Sequence, residues 1–213
     1  MLRSDRRLLA LAIALSGLAG FVDSVGFLSA GGFFISFMSG NSTRLAVGLS
    51  EASSAALAAA GLILGFVTGV VLGGVVGHRA ASARRGAVLA LVSALLIFAA
   101  MCAPLLPLVA LGAMVIAMGA ENAALADKGE VKVGLTYMTG ALVRAGQALA
   151  NRLTGHEVGS WRADLGLWFG LMVGAVSGAV SQKLLGFGAL WIAAALAILL
   201  TLAAHAMTRR TPA

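Results

Sequence analysis

Long apolar runs alternate along the chain with short polar breaks. Six runs are predicted as helices: 8–28, 55–77, 86–104, 105–126, 165–181 and 186–207. Each holds about 17–23 residues, enough to cross ~30 Å of hydrocarbon at the rise of an α-helix. The expected fold is an all-α integral membrane protein with six transmembrane helices. Arg3, Arg6 and Arg7 before the first run also fit the basic region of a secretory signal. That run continues past any small-residue cleavage point, so it is kept as a span.

Two polar breaks resemble each other. SFMSGNSTRLAVGL begins at Ser36 and TYMTGALVRAGQAL at Thr136. Met38-Ser39-Gly40 matches Met138-Thr139-Gly140, and Arg44 matches Arg144, at an offset of 100. The following runs carry Gly65, Gly69, Gly73, Gly77 and Gly166, Gly170, Gly174, Gly178, matched at an offset of 101. Gly86 and Gly186 open the third runs, again at 100. The chain therefore divides into two repeats, 1–104 and 105–213, which together form one membrane domain. Three spans per repeat is an odd number, so the second repeat enters from the opposite side of the membrane. Inverted repeats of this kind build many secondary transporters. Residues four apart share a helix face, so the glycine ladders are expected to pack helix backbones closely.

Composition fixes the solvent. The chain is 60% hydrophobic and 11% charged, with a mean hydropathy of +0.99; soluble domains carry about 25% charged residues. A net charge of +7 invites a nucleic-acid partner. The basic residues instead flank the apolar runs, and 13 of the 15 fall on one side when the N-terminus is cytoplasmic. That asymmetry sets orientation in a bilayer. It implies a bacterial inner-membrane protein with both termini in the cytoplasm, a lipid partner and no nucleic acid. Cys102 stands alone in an apolar run, as a small hydrophobe. His78, His156 and His205 lack zinc-ligand spacing. With no nucleophile motif either, neither metal, cofactor nor enzymatic activity is expected.

The polar residues within this apolar chain are the candidate site. Segments 31–50 and 130–153 read as re-entrant or broken helices, since irregular backbone at membrane depth must be buried or line a wet cavity. Ser39, Asn41, Ser42 and Thr43 are N-cap types, and Gly31, Gly32 and Gly40 supply breaks. Exposed N–H groups with Arg44 or Arg144 would favour an anionic or polar ligand. The competing reading makes both segments amphipathic connectors at the lipid surface. Asp23 lies roughly 22 Å along the first helix, and Glu121-Asn122 occupies the matching zone of the fourth run. Intramembrane acids need partners. Arg44 or the 41–43 side chains are expected to serve Asp23, and Arg144 or Thr139 to serve Glu121. The candidate substrate- or ion-binding set is thus Asp23, Ser39, Gly40, Asn41, Thr43 and Arg44, with Glu121, Asn122, Thr139, Gly140 and Arg144 as its inverted counterpart.

The stretch AGFVDSVGFLSAGGFFISFMSGNSTRLAVGL from Ala19, with TYMTGALVRAGQAL, resembles the YoaK-type family of bacterial inner-membrane proteins, domain-of-unknown-function family 1275. The likeness covers nearly the whole chain. Where that family's motif typically has Thr-Gly-Asn, this chain has Ser39-Gly40-Asn41, which keeps a hydroxyl. The resemblance implies a membrane location and names no substrate. Two functions fit the residues: a secondary transporter or channel for a small polar or anionic solute, with a site at the repeat interface, or a non-transporting scaffold. The scaffold, like a homo-oligomer, would use the glycine-rich faces to bind other helices.

Overall fold

The computed structural model describes residues 5–126, 138–156 and 161–209. Eight α-helices follow one another: α1 Arg6–Ser29, α2 Met38–Ser50, α3 Ser54–Arg79, α4 Arg84–Cys102, α5 Pro107–Glu121, α6 Met138–Leu153, α7 Trp161–Leu185 and α8 Ala189–Arg209. All six apolar runs are helical, and each matched polar segment contributes a short helix, α2 or α6. Four stretches are long and apolar enough to cross a membrane: α1, α3, 81–102 and the 47-residue stretch Trp161–Met207. The last holds α7 and α8, separated by a single 3-10 turn at Gly186–Gly188. This is an all-helical membrane protein.

Local chemistry sets several helix ends. The Asp5 carboxylate accepts hydrogen bonds from Arg7 N (2.9 Å) and Leu8 N (3.3 Å), capping α1. Pro107 opens α5, where a missing N–H costs nothing. Gly31 and Gly32 follow α1 at φ +64° and +83°, a left-handed pair that reverses the chain. Two expectations need correction. The N-cap of α2 is Phe37, so Ser39, Asn41, Ser42 and Thr43 lie inside the helix and do not cap it. The run 105–126 stays helical only to Glu121; α5 has 15 residues, about 22 Å.

Pairing of helices defines the architecture. α1 packs along α7, α3 along α5, and α4 along α8; α2 lies on α3 and α6 on α7. α5 is buried from Ala113 onward at nearly every position, with α3 and α4 against it. One core cluster joins Leu18, Val22 and Val25 of α1 to Val92, Leu96, Met114, Met118 and Leu190. A second joins Leu8, Leu11 and Leu15 to Val88, Leu89, Ala123, Leu125 and Leu167. Outward faces stay apolar: Leu64, Val67 and Val71 of α3, Phe169, Val173 and Val176 of α7, and Leu199 and Leu202 of α8 are all exposed. Such a surface suits lipid and not water.

The glycine ladders sit where these pairs touch. A Cβ on Gly69 would strike the Ile116 carbonyl, and one on Gly73 would meet Ala120 Cα at 2.8 Å. On the other pair, Gly174 abuts the Gly17 carbonyl and Gly178 the Phe21 carbonyl. Lipid tails are as apolar as a core, so close backbone contact must hold the helices together through dispersion. The ladder glycines thus serve contacts within the chain. Gly77 and Gly166 face side chains, those of Arg84 and Ile13.

Candidate functional site

The return from α1 to α2 is fixed by two side chains. Asp23 Oδ1 accepts hydrogen bonds from Ile35 N and Ser36 N, each at 2.7 Å. Asn41 grips the neighbouring residue from the other side: its Oδ1 accepts from Phe34 N (3.0 Å), and its Nδ2 donates to Phe34 O (2.7 Å). Asp23 stands six residues before the end of α1, about 9 Å along the axis, so the loop folds back along the helix. Ile35 fills the gap over Gly26, where any Cβ would collide with it. Ile35, Ser36 and Asn41 are buried. Irregular backbone inside the protein is therefore satisfied by the two polar side chains that the sequence singles out.

Arg44 is not the partner of Asp23. Its guanidinium carbon lies 4.7 Å from the centroid of the Phe33 ring, and a Cβ on Gly32 would come 3.0 Å from its Nη2. Arg44 thus covers the left-handed turn from outside in a cation–π arrangement. Gly40 makes room for rings: a Cβ there would approach Phe34 to 2.7 Å and Phe37 to 2.9 Å. Ser39 and Thr43 are exposed, and the Thr43 hydroxyl donates back to the Ser39 carbonyl (3.3 Å). The expected cluster of Asp23, Asn41 and Arg44 is therefore two features: a buried clamp and a cation above it.

The second half is built otherwise. Glu121, the last residue of α5, is fully buried, and neither carboxyl oxygen has a hydrogen-bond partner among the described residues. Asn122 turns its amide back onto Met118 O (3.0 Å). The chain then coils through 122–125, with Ala123 N bonded to Ala120 O (2.9 Å) and Ala124 N to Glu121 O (3.0 Å). Arg84 closes this broken end, its Nε donating to Ala123 O at 3.1 Å. The expected pairing of Glu121 with Arg144 or Thr139 is not made. Arg144 Nε binds Asp164 Oδ1 at 2.9 Å, joining α6 to α7. Thr139 is exposed, and Gly140 lies beside the Arg144 guanidinium, 3.2 Å from a Cβ position. Tyr137 and the rest of 130–137 lie outside the described residues.

Three polar contacts fall on residues that the site reading passed over. Asp164 is buried and immediately precedes the run predicted from 165, so it reads as a loop acid. Arg84 reads as an orientation charge, although its side chain lies over the ladder glycine Gly77, where a Cβ would stand 2.9 Å from its Nε. Gln182 Nε2 donates to Ser29 Oγ (2.9 Å), tying the end of α7 to the end of α1.

Apolar outward faces, backbone-packed helix pairs and polar groups buried at broken helix ends define a polytopic membrane protein of the helical class. Residues 11–203 match the family model described as "Protein of unknown function (DUF1275)", and the chain belongs to that family. It is 42% identical over 204 residues to the UPF0700 transmembrane protein RA0705 of Rhizobium meliloti (strain 1021), covering 95% of this chain and 88% of the relative. No solved structure matches the chain.

Proposed function

We propose that the chain is a secondary transporter or channel for a small polar or anionic solute, made of six spans in two inverted three-helix repeats, 1–104 and 105–213. Reciprocal packing is the observation that carries this reading. The first helix of each repeat packs on the second span of the other, α1 on α7 and α5 on α3, while the third spans α4 and α8 pack on each other. Residue by residue the reciprocity is close. Gly20 lies against Leu171 and Ala175; Gly119 lies against Phe66 and Val70, each 105 positions earlier. Gly174 meets Gly17, and Gly69, again 105 earlier, meets Ile116. Ala81 and Gly186, 105 apart, both take left-handed φ, +46° and +56°, ahead of the third helix. The ladder correspondence is thus Gly61, Gly65, Gly69, Gly73 with Gly166, Gly170, Gly174, Gly178, one helical turn from the match read off the sequence. On this reading Gly186 answers to Ala81 and not to Gly86.

The solute site falls at the repeat interface, where α1 meets α5 and a broken helix end adjoins each. Of the two acids expected to couple, Glu121 remains the candidate coupling group, while Asp23 positions the 33–36 loop; Arg44 and Arg144 are the cations at the two mouths. In this reading both termini are cytoplasmic, the membrane is the bacterial inner one and no catalytic step is involved; the 13-to-2 split of basic residues supports the orientation. The scaffold reading draws less support, because Gly69, Gly73, Gly174 and Gly178 are buried against the chain's own helices.

Purified protein in liposomes on a solid-supported membrane tests the proposal. Rapid addition of chloride, nitrate, phosphate, acetate or glycine should evoke a current with at least one of them. Arg44→Lys should weaken the half-saturating concentration several-fold, since Lys lacks the planar fork that grips an oxyanion. Folded protein that passes none of these solutes by current or by tracer uptake would count against transport.

A further inference from the structure

The geometry points to Glu121 as a proton carrier: it holds its proton in the packed state and releases it to water when the turn 122–125 opens. This rests on the transport reading and names its coupling ion. An ionised carboxylate buried without a hydrogen-bond donor is prohibitively costly, whereas the neutral acid is tolerated. Glu121 is in that position; Asp23 is not. The Asp23 carboxylate accepts two backbone N–H groups and holds the 33–36 loop, so protonating it would loosen the loop. Asp23 is a positioning residue.

A metal cation is the rival ligand, since carbonyls at helix C-termini bind sodium in broken-helix transporters. Here those carbonyls are occupied. Met118 O accepts from Asn122, Ala120 O from Ala123, Glu121 O from Ala124, and Ala123 O from Arg84. No group of three or more metal-ligating side chains occurs among the described residues, and the Arg84 charge would repel a cation. The helices packed on α5 carry Arg6, Arg7 and Asp23 (α1), His78 and Arg79 (α3), and Arg84, Arg85 and Cys102 (α4). None makes an ion pair with Glu121. Release breaks one O–H bond of the carboxyl group; the electron pair stays on the carboxylate and the proton leaves on water. Arg84, bonded two residues further along, is placed to receive the new charge once the turn loosens.

Infrared spectroscopy of the protein in liposomes tests this without a known solute. The wild type should give an un-ionised carboxyl C=O band at neutral pH. Glu121→Gln should abolish it and Asp23→Asn should leave it. In deuterated water the band should shift as the turn opens and closes. Carbon-13 labelling of glutamate assigns the band in the unaltered chain if Glu121→Gln folds poorly. Absence of the band, its survival in Glu121→Gln, or a band that never shifts while surface amides exchange would each overturn the carrier role. A solute current alongside any of these leaves the transport reading standing. An exchanging band without any solute current removes the transport reading alone.

Discussion

Placing a methyl group on Gly174 should destabilise the protein, while the same change at Gly61 should not. A Cβ at position 174 would overlap the Gly17 carbonyl and stand 2.8 Å from Gly17 Cα. These are backbone atoms, so no rotamer relieves the clash, and α1 and α7 must part. Reaching an ordinary carbon contact of about 3.5 Å takes roughly 1 Å of separation, which forfeits about a quarter to a half of each ~0.1–0.2 kcal/mol atom pair. If the seam holds about 50 such pairs, the loss is about 2–3 kcal/mol, within the ~1–3 kcal/mol range for overpacked cores. Alanine's helix preference returns at most ~1 kcal/mol, leaving a net cost of about 1–2 kcal/mol. Nothing lies within 4 Å of a Cβ at Gly61, so Gly61→Ala should be neutral or stabilising by up to ~1 kcal/mol. Reversible unfolding by dodecyl sulfate in mixed micelles gives both numbers. Equal midpoints for Gly174→Ala and Gly61→Ala would refute the packing account. Gly69→Ala, the reciprocal position against Ile116, should behave like Gly174→Ala.

Asp23→Ala should cost about 2–4 kcal/mol by stranding two buried N–H groups, and Asp23→Asn less, because the amide oxygen still accepts; hydrogen exchange at Ile35 and Ser36 separates the two. A double-mutant cycle over Arg144 and Asp164 should give a coupling of about 1 kcal/mol or less, since the Arg144 side chain is half exposed and screened. Arg84→Met should speed amide exchange across 122–125 by freeing the Ala123 carbonyl, with little change at 33–36. Reporter fusions after Arg85 and at the C-terminus should read cytoplasmic, and one at Pro107 external; a cytoplasmic signal at Pro107 would remove the inverted arrangement.

Much of this was legible in the residues, and the failures share physical causes. Runs of apolar residues exceed what a soluble domain tolerates, so every predicted run holds a helix, although that over 105–126 stops at Glu121. The matched motifs at Met38 and Met138 both fall in short helices, α2 and α6. The residues mark Asp23 and Asn41 as polar groups in need of partners, but the expected pairing of Asp23 with Arg44 or the 41–43 side chains is not made; the partners are main-chain atoms at 34–36, which side-chain chemistry cannot nominate. Arg44 consequently went to the wrong neighbour. On the repeat arrangement proposed above, the ladder register shifts by one turn from the sequence match, because glycines spaced by four match equally well when shifted by four. α5 ends early since the chain leaves the helix at Asn122 inside the protein, a boundary that hydropathy does not mark. Asp164 has no acidic counterpart in the first half, so comparing the halves could not expose it.

The pairing of α1 with α7 has a consequence for how the protein is made. α5 emerges from the ribosome just after α3 and α4, and it can dock on them at once. α1 must wait until α7 exists, about 130 residues later, which at ~5–20 residues per second is on the order of ten seconds. For that interval Gly17 and Gly20 present bare backbone to whatever the insertion machinery and surrounding lipid provide. A nascent chain halted before Trp161 would therefore keep an unclosed α1, open to capture by any neighbouring small-residue helix and to membrane proteases.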